Sequence, residues 1–480
     1  MTDKQINTAV IGNKNLFITG PAGTGKTFLL NKIIEEETKK GKSLLLCAPT
    51  GIAAINIGGE TLHKVFHIPV PAFEAPSFAK NKKGAITTAQ LKIIAAADVL
   101  IIDEISMCRN DVFSFVIKVL RKAEKLKGSK IRIIVCGDFN QLPPVVKKSE
   151  EKLFKKFGFH ISGYPFTTKE WETCKFKVIE LKDVKRQENI EFIENLNNIR
   201  AGINIKEAIT YFNNFVNKKI NEENAIYVCG TNVKANEINK EYLDSISGDL
   251  KVLQAEKNGR GTVGIVEDIL LVKENAKIIF TTNDVQGKYK NGTFGVIKRV
   301  FDDYVIVEID GKDIFVKPYE YKIYNYSVNK NALVKKEIGC VIQYPFKIGK
   351  AITIHKSQGQ TFDNVILSPE IFANGQLYVA LSRVRTPEGL SLLSEINENN
   401  IISNSIVEDF IKNGYVFKDI PKKPVAKKTT TTKKKTNIKK GPTKSVIKKR
   451  TAKNTTKKSN SSIKKSNKRS VTTKKSTYKK

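Results

Sequence analysis

Eight residues near the start of the chain, GPAGTGKT at positions 20–27, have the types and spacing of a phosphate-binding loop. In the pattern G-x-x-x-x-G-K-[ST], the glycines let backbone N–H groups surround an anion, the lysine reaches the terminal phosphates, and the final hydroxyl ligates magnesium. An apolar strand before the loop and a helix after it would place the phosphates at a helix N-terminus, which favours negative charge. We therefore predict a nucleoside triphosphate site formed by Gly20, Pro21, Ala22, Gly23, Thr24, Gly25, Lys26 and Thr27.

A second candidate element is the run DVLIIDE at 98–104, an apolar strand that ends in two carboxylates. An acidic pair in this position is often only a strand leaving the core. With the phosphate loop upstream, Asp103 is placed to join Thr27 in holding magnesium through the metal's water shell, since that ion prefers oxygen ligands. Glu104 can then polarise the attacking water as a general base.

A third polar stretch, CGDFNQLPPV at 136–145, follows another apolar strand. The amide of Gln141 could hydrogen-bond both the γ-phosphate and the attacking water, which makes this residue a candidate sensor of the nucleotide. A glutamine after a strand is more often a surface residue, so the prediction depends on the neighbouring motifs.

The elements that must position these residues alternate between strand and helix. Apolar runs at 16–19, 43–48, 99–102 and 131–136 predict strands, and 28–38 and 111–125 predict helices. Strands that are apolar throughout and separated by helices indicate an α/β fold with a parallel sheet covered on both faces. Ligands of such sheets bind at the carboxyl ends of the strands, where all three motifs lie.

Two further stretches between the first motifs could contact nucleic acid. In APTGIAA at 48–54, Pro49 and Thr50 follow a strand and could grip a backbone phosphate, and in GGETLHKVF at 58–66, His63, Lys64 and Phe66 combine donors with an aromatic face for stacking. A capped helix with a core phenylalanine explains the same residues, and for any one of them that interpretation is slightly favoured.

Charge is distributed unevenly along the 480 residues. The net charge is +35, and the last 60 residues hold 24 Lys and Arg with no Asp or Glu, which leaves 59 basic against 48 acidic residues before them. The segment 420–480 is too poor in apolar residues to offset its chain entropy, so we predict a disordered tail. Such a tail neutralises phosphates without reading sequence, which predicts salt-sensitive, non-specific binding to nucleic acid.

The six cysteines are far apart and form no C-x-x-C pair. This spacing predicts buried free thiols of a reducing compartment and argues against a zinc site. The sequence shows neither a secretory leader nor an apolar run of membrane-spanning length, so we expect an intracellular protein without a membrane partner. Basic stretches of the tail resemble nuclear import signals, and a viral or organellar replication site fits as well.

Taken together, the motifs resemble the petite-integration-frequency (PIF) family of superfamily 1B DNA helicases, relatives of RecD. The resemblance is carried by GPAGTGKT, APTGIAA, GGETLHKVF, DEISM at 103–107 and GDFNQLPPV, and continues through LKDVKRQ at 181–187, HKSQGQT at 355–361 and GQLYVALSRVR at 375–385. It covers roughly residues 1–415.

The resemblance implies roles for residues outside the first motifs. Gln5 corresponds to a glutamine that reads adenine, and Gly359 allows close backbone approach to the nucleotide. Arg186 and Arg383 correspond to arginines that reach the γ-phosphate from the second motor domain, where they would stabilise transition-state charge. The family uses the positions of three further residues on DNA and on its coupling to the nucleotide: His355, Ser357 and Gln358.

The family also implies an architecture: two RecA-like P-loop motor domains, a small SH3-like β-barrel insertion and the basic tail. The expected boundaries are 1–185 for the first motor domain, with a small excursion near 68–90, and 186–290 with 346–419 for the second. Residues 291–345, which open with an Asn-Gly turn signal, would form the insertion.

The expected function is an ATP-dependent DNA helicase that needs Mg²⁺, acts on single-stranded and forked DNA, and is a monomer in solution. The family implies 5′-to-3′ travel and roles in replication, repair, recombination or telomere maintenance. Two alternatives stay open at this point. One is an ATPase that translocates on nucleic acid without separating strands, and the other is a DNA-condensing protein dominated by its tail.

Overall fold

The computed structural model describes residues 12–68, 86–259, 266–284, 286–329, 332–402 and 404–418. Gln5, most of the excursion near 68–90, and the tail at 420–480 lie outside the described residues. The strands are β1 (Leu16–Thr19), β2 (Leu44–Ala48), β3 (Glu60–Thr61), β4 (Val99–Ile102), β5 (Arg132–Cys136), β6 (Lys177–Glu180), β7 (Ala225–Cys229), β8 (Lys251–Gln254), β9 (Glu256–Gly259), β10 (Ile269–Val272), β11 (Lys277–Phe280), β12 (Phe294–Val300), β13 (Val305–Ile309), β14 (Lys312–Val316), β15 (Tyr319–Asn329), β16 (Ala332–Gln343), β17 (Phe346–Ile348), β18 (Ala351–Thr353), β19 (Asn364–Leu367) and β20 (Leu390–Leu392).

Helices connect these strands on both faces of the parallel sheets. The α-helices are α1 (Lys26–Lys39), α2 (Gly51–Asn56), α3 (Leu62–Phe66), α4 (Thr88–Ala95), α5 (Asn110–Lys127), α6 (Glu151–Phe157), α7 (Lys169–Cys174), α8 (Ile190–Ala201), α9 (Ile205–Asn213), α10 (Asn232–Ser245), α11 (Ile354–Ser357), α12 (Gln376–Leu381) and α13 (Ser405–Lys412).

The first half of the chain forms a six-stranded parallel sheet in the order β3-β2-β4-β5-β1-β6. Alternate side chains of each strand point to opposite faces, and both faces are buried. On β1, Phe17 enters one core with Trp171, whereas Leu16 and Ile18 pack against Leu29 of α1 in the other. The prediction of a parallel sheet covered on both sides is confirmed.

A second parallel sheet, in the order β18-β7-β19-β20, forms from residues after Ala225. Its core includes Phe192 and Phe212 from α8 and α9 and Leu377 from α12. The chain thus supplies two parallel sheets, each with its own apolar core, and the antiparallel strands lie in the sequence between β7 and β18.

Five of the antiparallel strands form a sheet in the order β14-β13-β12-β11-β17, with its own apolar core, and β10 pairs with β8 in a separate two-stranded sheet. Because β11 and β17 are its members, this sheet extends beyond the expected insertion at 291–345 at both ends. Within that interval, β15 and β16 instead form a long hairpin that pairs with β9. The hairpin contacts the first half of the chain: the Tyr326 hydroxyl accepts from the Leu46 N–H at 3.3 Å, and the Lys335 ammonium donates to the Gly58 carbonyl at 2.8 Å.

The last helix, α13, lies in the segment 346–419, which was expected to belong to the second motor domain. Its apolar residues pack instead in the core of the first sheet. Phe410 is fully buried in the core of the first sheet, where its ring stacks on Phe166 with centroids 4.1 Å apart. Trp171 lies in the same aromatic cluster. The apolar face of α13 therefore packs on the aromatic side of the first sheet's core.

All six cysteines are free and buried, as predicted. Burial raises the pKa of the Cys47 and Cys108 thiols well above their ordinary range.

Among the described residues, no helix combines the length and apolar character needed to cross a bilayer.

Candidate active site

The phosphate loop connects β1 to α1 with a backbone that its glycines make possible. Gly23 adopts φ +76°, and a Cβ there would lie 2.6 Å from the Cβ of Arg186, so a side chain is excluded both by conformation and by space. The Lys26 ammonium donates to the carbonyls of Gly20 and Pro21, each at 2.9 Å. Burial lowers the pKa of Lys26, although three neighbouring acidic groups, Asp138, Cys136 and Glu104, oppose that shift.

The two predicted carboxylates stand at the end of β4 and face the loop. Asp103 is buried, and one of its oxygens accepts from the Glu104 N–H at 2.8 Å. Glu104 has a left-handed backbone at φ 50°, a conformation that a residue other than glycine adopts only at an energetic cost. Burial and the adjacent Asp103 raise the pKa of Glu104 to about 7, and burial also raises the pKa of Asp103.

Gln141 is held in place by a buried ion pair. Its side-chain N–H donates to Asp138 at 3.2 Å, and Arg200 of α8 donates two hydrogen bonds to the same carboxylate at 2.9 and 3.0 Å. Burial works to raise the pKa of Asp138, but Arg200, together with Lys26 and the Asn140 N–H, holds that pKa below its usual value. Gln141, the predicted sensor of the nucleotide, is therefore held in place rather than exposed. The residue that holds Asp138, its partner, is Arg200 of α8.

This ion pair leads to a prediction on stability. Replacement of Arg200 by methionine leaves Asp138 buried without its partner, and breaking a buried pair in this way costs about 3–5 kcal/mol. We expect the free energy of unfolding in urea to fall by that amount. The matched control is Arg385→Met, whose ion pair with Asp363 is exposed, so the expected loss is about 0–1 kcal/mol. Equal losses in the two variants would contradict the prediction.

The two predicted arginines lie together at the cleft. Arg383 is 1% exposed and its guanidinium donates to the carbonyls of Val379, Ser357 and Gln360 and to the Ser382 hydroxyl. Burial, followed by repulsion from Arg186, lowers the pKa of Arg383 well below its ordinary value. A guanidinium held in this way is fixed in direction before any anion arrives.

The resemblance implied that Arg186 reaches the γ-phosphate from the second motor domain. In the structure, the segment that carries Arg186 contacts the phosphate loop of the first sheet. Its neighbour Lys185 donates its backbone N–H to the Gly23 carbonyl at 2.8 Å, so this segment lies directly on the phosphate loop. The Arg186 guanidinium then donates to the Ser382 carbonyl at 3.1 Å. Arg186 therefore bridges the loop and the segment that carries Arg383.

A cleft of about 450 Å³ lies between these groups. Its walls come from both halves of the chain, and they contain most of the predicted catalytic residues together with Gly359. The lining residues are Ala22, Gly23, Gly25, Lys26, Thr27, Phe28, Glu104, Gln141, Lys185, Arg186, Gly359, Thr361, Arg383 and Arg385.

The donor set at this cleft fits a magnesium ion. Asp103 and Thr27 offer a carboxylate and a hydroxyl, the oxygen ligands that this ion prefers alongside water and phosphate. Within the described ranges, no cluster of three or more His, Cys, Asp or Glu side chains could hold a metal.

Sequence reasoning missed three residues of this site. The Tyr378 hydroxyl accepts the Ala22 N–H at 2.7 Å and so ties α12 to the phosphate loop. Asp138 and Arg200 form the anchor of Gln141. Asp138 lies in the GDFNQLPPV motif and could have been selected as a polar residue after a strand, whereas a lone arginine inside a helix carries no comparable signal.

The residues predicted to bind DNA divide between two places. A groove of about 1230 Å³ is lined by Thr50, His63 and Lys64 on one side and by the hairpin and the loop before β12 on the other. Pro49, half-buried, immediately precedes Thr50, whose hydroxyl caps α2. The hairpin side includes Tyr319, Tyr321, Lys322, Tyr324 and Lys335.

Phe66 does not belong to this groove, so the prediction of a stacking face for it is wrong. Its side chain is fully buried in the core of the first sheet. On α3, Leu62, Val65 and Phe66 share one face, and that apolar face turns toward the sheet. The alternative interpretation as a core phenylalanine holds.

Ser357 and Gln358 also lie away from the groove. Ser357 is fully buried, and its hydroxyl donates to the Ile354 carbonyl at 2.8 Å. Gln358 donates a side-chain N–H to the Glu104 carboxylate at 2.8 Å. Neither residue lines the groove, and Gln358 reaches the wall of the cleft through Glu104, so the roles on DNA and in coupling that the resemblance implied stay predictions. His355 is half-buried, and burial lowers its pKa.

The fold and the cleft define a P-loop nucleoside triphosphatase with two parallel sheets, whose cleft is lined by the loop lysine Lys26, the carboxylate of Glu104 and the predicted arginines Arg186 and Arg383. The family model of the PIF1-like helicase matches residues 3–223. The ATP-dependent DNA helicase Pif1 of Campylobacter jejuni is 31% identical over 450 residues, which cover 86% of this chain and 98% of that protein. The chain belongs to the PIF1-like helicase family.

Other relatives agree with this assignment. PIF1 of Homo sapiens is 30% identical over 411 residues, covering 80% of this chain and 59% of that protein. The crystal structure of Bacteroides Pif1 in complex with ADP-AlF4 has a TM-score of 0.75 at 31% identity, over 85% of this chain and 96% of that one. Bacteroides Pif1 bound to single-stranded DNA has a TM-score of 0.63 at 32% identity, over 86% and 97%. The resemblance drawn from the motifs is confirmed.

Proposed function

We propose that this protein is an ATP-dependent DNA helicase that moves 5′-to-3′ on single-stranded DNA and separates duplex DNA in replication, repair or recombination. The observation that carries the proposal is the shared cleft: Lys26 and Glu104 from the first sheet and Arg383 from the second line one cavity. Because the two walls of the cleft belong to different sheets, closing and opening the cleft during hydrolysis would move one sheet relative to the other.

The chemistry follows from the residues around the cleft. Water attacks the γ-phosphorus, and the bond from that phosphorus to the bridging oxygen breaks, so that ADP leaves with the electron pair. Glu104 accepts the proton of the water. Lys26, Arg186 and Arg383 face the charge that develops on the phosphoryl oxygens, and Asp103 and Thr27 would hold Mg²⁺, which neutralises charge on the β- and γ-phosphates when bound.

For the DNA path, we propose the groove of about 1230 Å³. Its lining supplies Lys64, Lys335 and His63 as donors to phosphate, and Tyr319 and Tyr324 as rings on which bases can stack. The relative whose structure contains single-stranded DNA supports this type of ligand. The groove lies between the first sheet's helices and the hairpin, so a strand in it would contact both.

We further propose the domain organisation of the family for this chain. Two RecA-like motor domains would carry the two parallel sheets, and the five-stranded antiparallel sheet with its own core would be the SH3-like insertion. Arg186 and Arg383 reach the cleft from the same chain as Lys26, so one chain supplies the predicted catalytic arginines, which supports a monomer as the active form on single-stranded DNA. A forked DNA substrate is supported by a 31% identical Pif1 relative, whose structure concerns the unwinding of forked duplex DNA by two coordinating helicases.

The experiment that tests the proposed function is strand displacement on partial duplexes with a 5′ or a 3′ single-stranded tail, with and without ATP. We expect displacement on the 5′-tailed duplex when ATP is present. Preference for the 3′ tail would reverse the polarity. ATP hydrolysis stimulated by single strands without displacement on either substrate would favour a translocase that does not separate strands.

A truncation separates the helicase from a DNA-condensing protein. In a variant that ends at Asp419, we expect DNA-stimulated ATP hydrolysis and unwinding to survive, with weaker DNA binding and a smaller slope of log affinity against log salt concentration. The reason is that the 24 basic residues of the last 60 contribute counterion release without sequence readout. Loss of both hydrolysis and unwinding would favour the condensing protein. Nuclear import by the tail also remains a proposal.

A further inference from the structure

We propose that Gln358 positions the attacking water in the ATP site, together with Glu104 and Gln141. This inference rests on the proposed function, and it moves Gln358 from the DNA-contacting set to the chemistry of the cleft. Gln358 is 8% exposed and follows α11, so a residue of the second parallel sheet's lobe supplies this group to a general base of the first.

The orientation of the amide is determined by a chain of hydrogen bonds. Arg200 can only donate, so the Asp138 carboxylate accepts from it and also accepts the Gln141 side-chain N–H at 3.2 Å. The Gln141 oxygen must then point the other way, toward the Gln358 side-chain nitrogen at 3.5 Å. That same nitrogen donates to Glu104 at 2.8 Å, which fixes the nitrogen of Gln358 between two acceptors.

The opposite atom of the same amide, the Gln358 Oε1, is buried and has no hydrogen-bond partner among the described residues. A buried acceptor without a partner costs about 1–3 kcal/mol, so its retention calls for a ligand. Gly359, the next residue, lines the cleft together with Glu104 and Gln141. The free oxygen therefore belongs to a side chain whose nitrogen contacts two residues of the cleft wall, Glu104 and Gln141.

Water presents two O–H groups, and this arrangement offers an acceptor for each. Glu104 accepts the hydrogen that becomes the transferred proton, and the Gln358 Oε1 accepts the other. The lone pair of the water oxygen is then directed to the γ-phosphorus, which is the alignment that proximity catalysis requires. Because Gln358 arrives from the second lobe, the water is fully oriented when the two lobes meet.

The test uses the full chain and the isosteric variant Gln358→Met, which keeps the length and removes both polar atoms. We expect kcat for DNA-stimulated ATP hydrolysis to fall about 100-fold, since misplacement of a reacting group costs about that factor. The KM for ATP and the affinity for single-stranded DNA without nucleotide should be unchanged. Trapping by ADP and aluminium fluoride with Mg²⁺, which mimics the transition state, should be lost, whereas binding of a non-hydrolysable ATP analogue should persist.

The matched control is Gln343→Leu, which removes another buried glutamine whose N–H groups donate to the carbonyls of Leu253 and Glu267 and which does not line the ATP cleft. It should keep the aluminium fluoride complex. Weaker DNA binding by Gln358→Met with an unchanged kcat would overturn the inference and restore a DNA-contacting role, while leaving the proposed function intact. Absence of ATP hydrolysis in the wild-type protein would overturn the proposed function itself.

Discussion

Replacement of Lys26 by alanine is expected to lower kcat for ATP hydrolysis by about 10³-fold, the upper range for removing one donor that faces transition-state charge. Lys26 is the first residue of α1, and its ammonium contacts two carbonyls of the phosphate loop at 2.9 Å. Alanine leaves the glycine backbone in place but removes the charge that, in the proposed mechanism, faces the γ-phosphate. Release of phosphate under saturating single-stranded DNA is the measurement.

Binding of single-stranded DNA should largely survive in Lys26→Ala, because the groove lined by His63 and Lys64 lies apart from the phosphate loop. Lys39→Ala is the matched control: this lysine ends the same helix, is exposed, and pairs with Glu36 at the surface. Its hydrolysis rate should equal that of the wild type. Persistent hydrolysis in Lys26→Ala would show that the nucleotide site has been assigned to the wrong loop.

The second large effect is expected for Glu104→Gln, a change that keeps size and hydrogen-bonding capacity but removes the base. General base catalysis contributes about 10²–10⁴-fold, and kcat should fall within that range. ATP should still bind, because Lys26 and the loop backbone are untouched and one negative charge has left the cleft. Rapid-quench measurement of a single turnover, with binding of a fluorescent ATP analogue, separates the two quantities.

Glu172→Gln is the matched control for this change, since Glu172 is exposed on α7. It should hydrolyse ATP at the wild-type rate. A Glu104→Gln variant with wild-type turnover would place the general base on another residue. A variant that no longer binds ATP would instead assign Glu104 a role in ground-state binding.

Local patterns predicted the first half of the site well. The strand at 16–19, the glycine loop and the helix after it depend on residues within about 25 positions, and the structure places β1 and α1 at these positions. The carboxylates after β4 were predicted in the same way, because the carboxyl end of a buried parallel strand lies at the edge of the sheet where ligands bind. In each case the chemistry is encoded by neighbours in sequence.

Contacts between distant segments were predicted poorly. Gln358 bonds Glu104 across 254 positions and Tyr378 bonds Ala22 across 356, and neither pairing leaves a periodic or compositional signal. Phe66 satisfied the spacing of a helix and the chemistry of a stacking residue, yet burial against the first sheet determined its role. The packing of α13 is a further contact of this kind, because Phe410 stacks on Phe166 in the core of the first sheet.

The sequence by itself determined the identity of the phosphate loop, its strand and helix, and the extreme charge of the last 60 residues, since each depends on local backbone preference or on composition. Only the tertiary structure decided which groups face each other across the cleft. The anchor of Gln141, the direction of Arg383 and the inward turn of Gln358 are set by packing between the two parallel sheets. Hydrogen bonds of that range depend on how the lobes fit together, and residue types alone do not encode that fit.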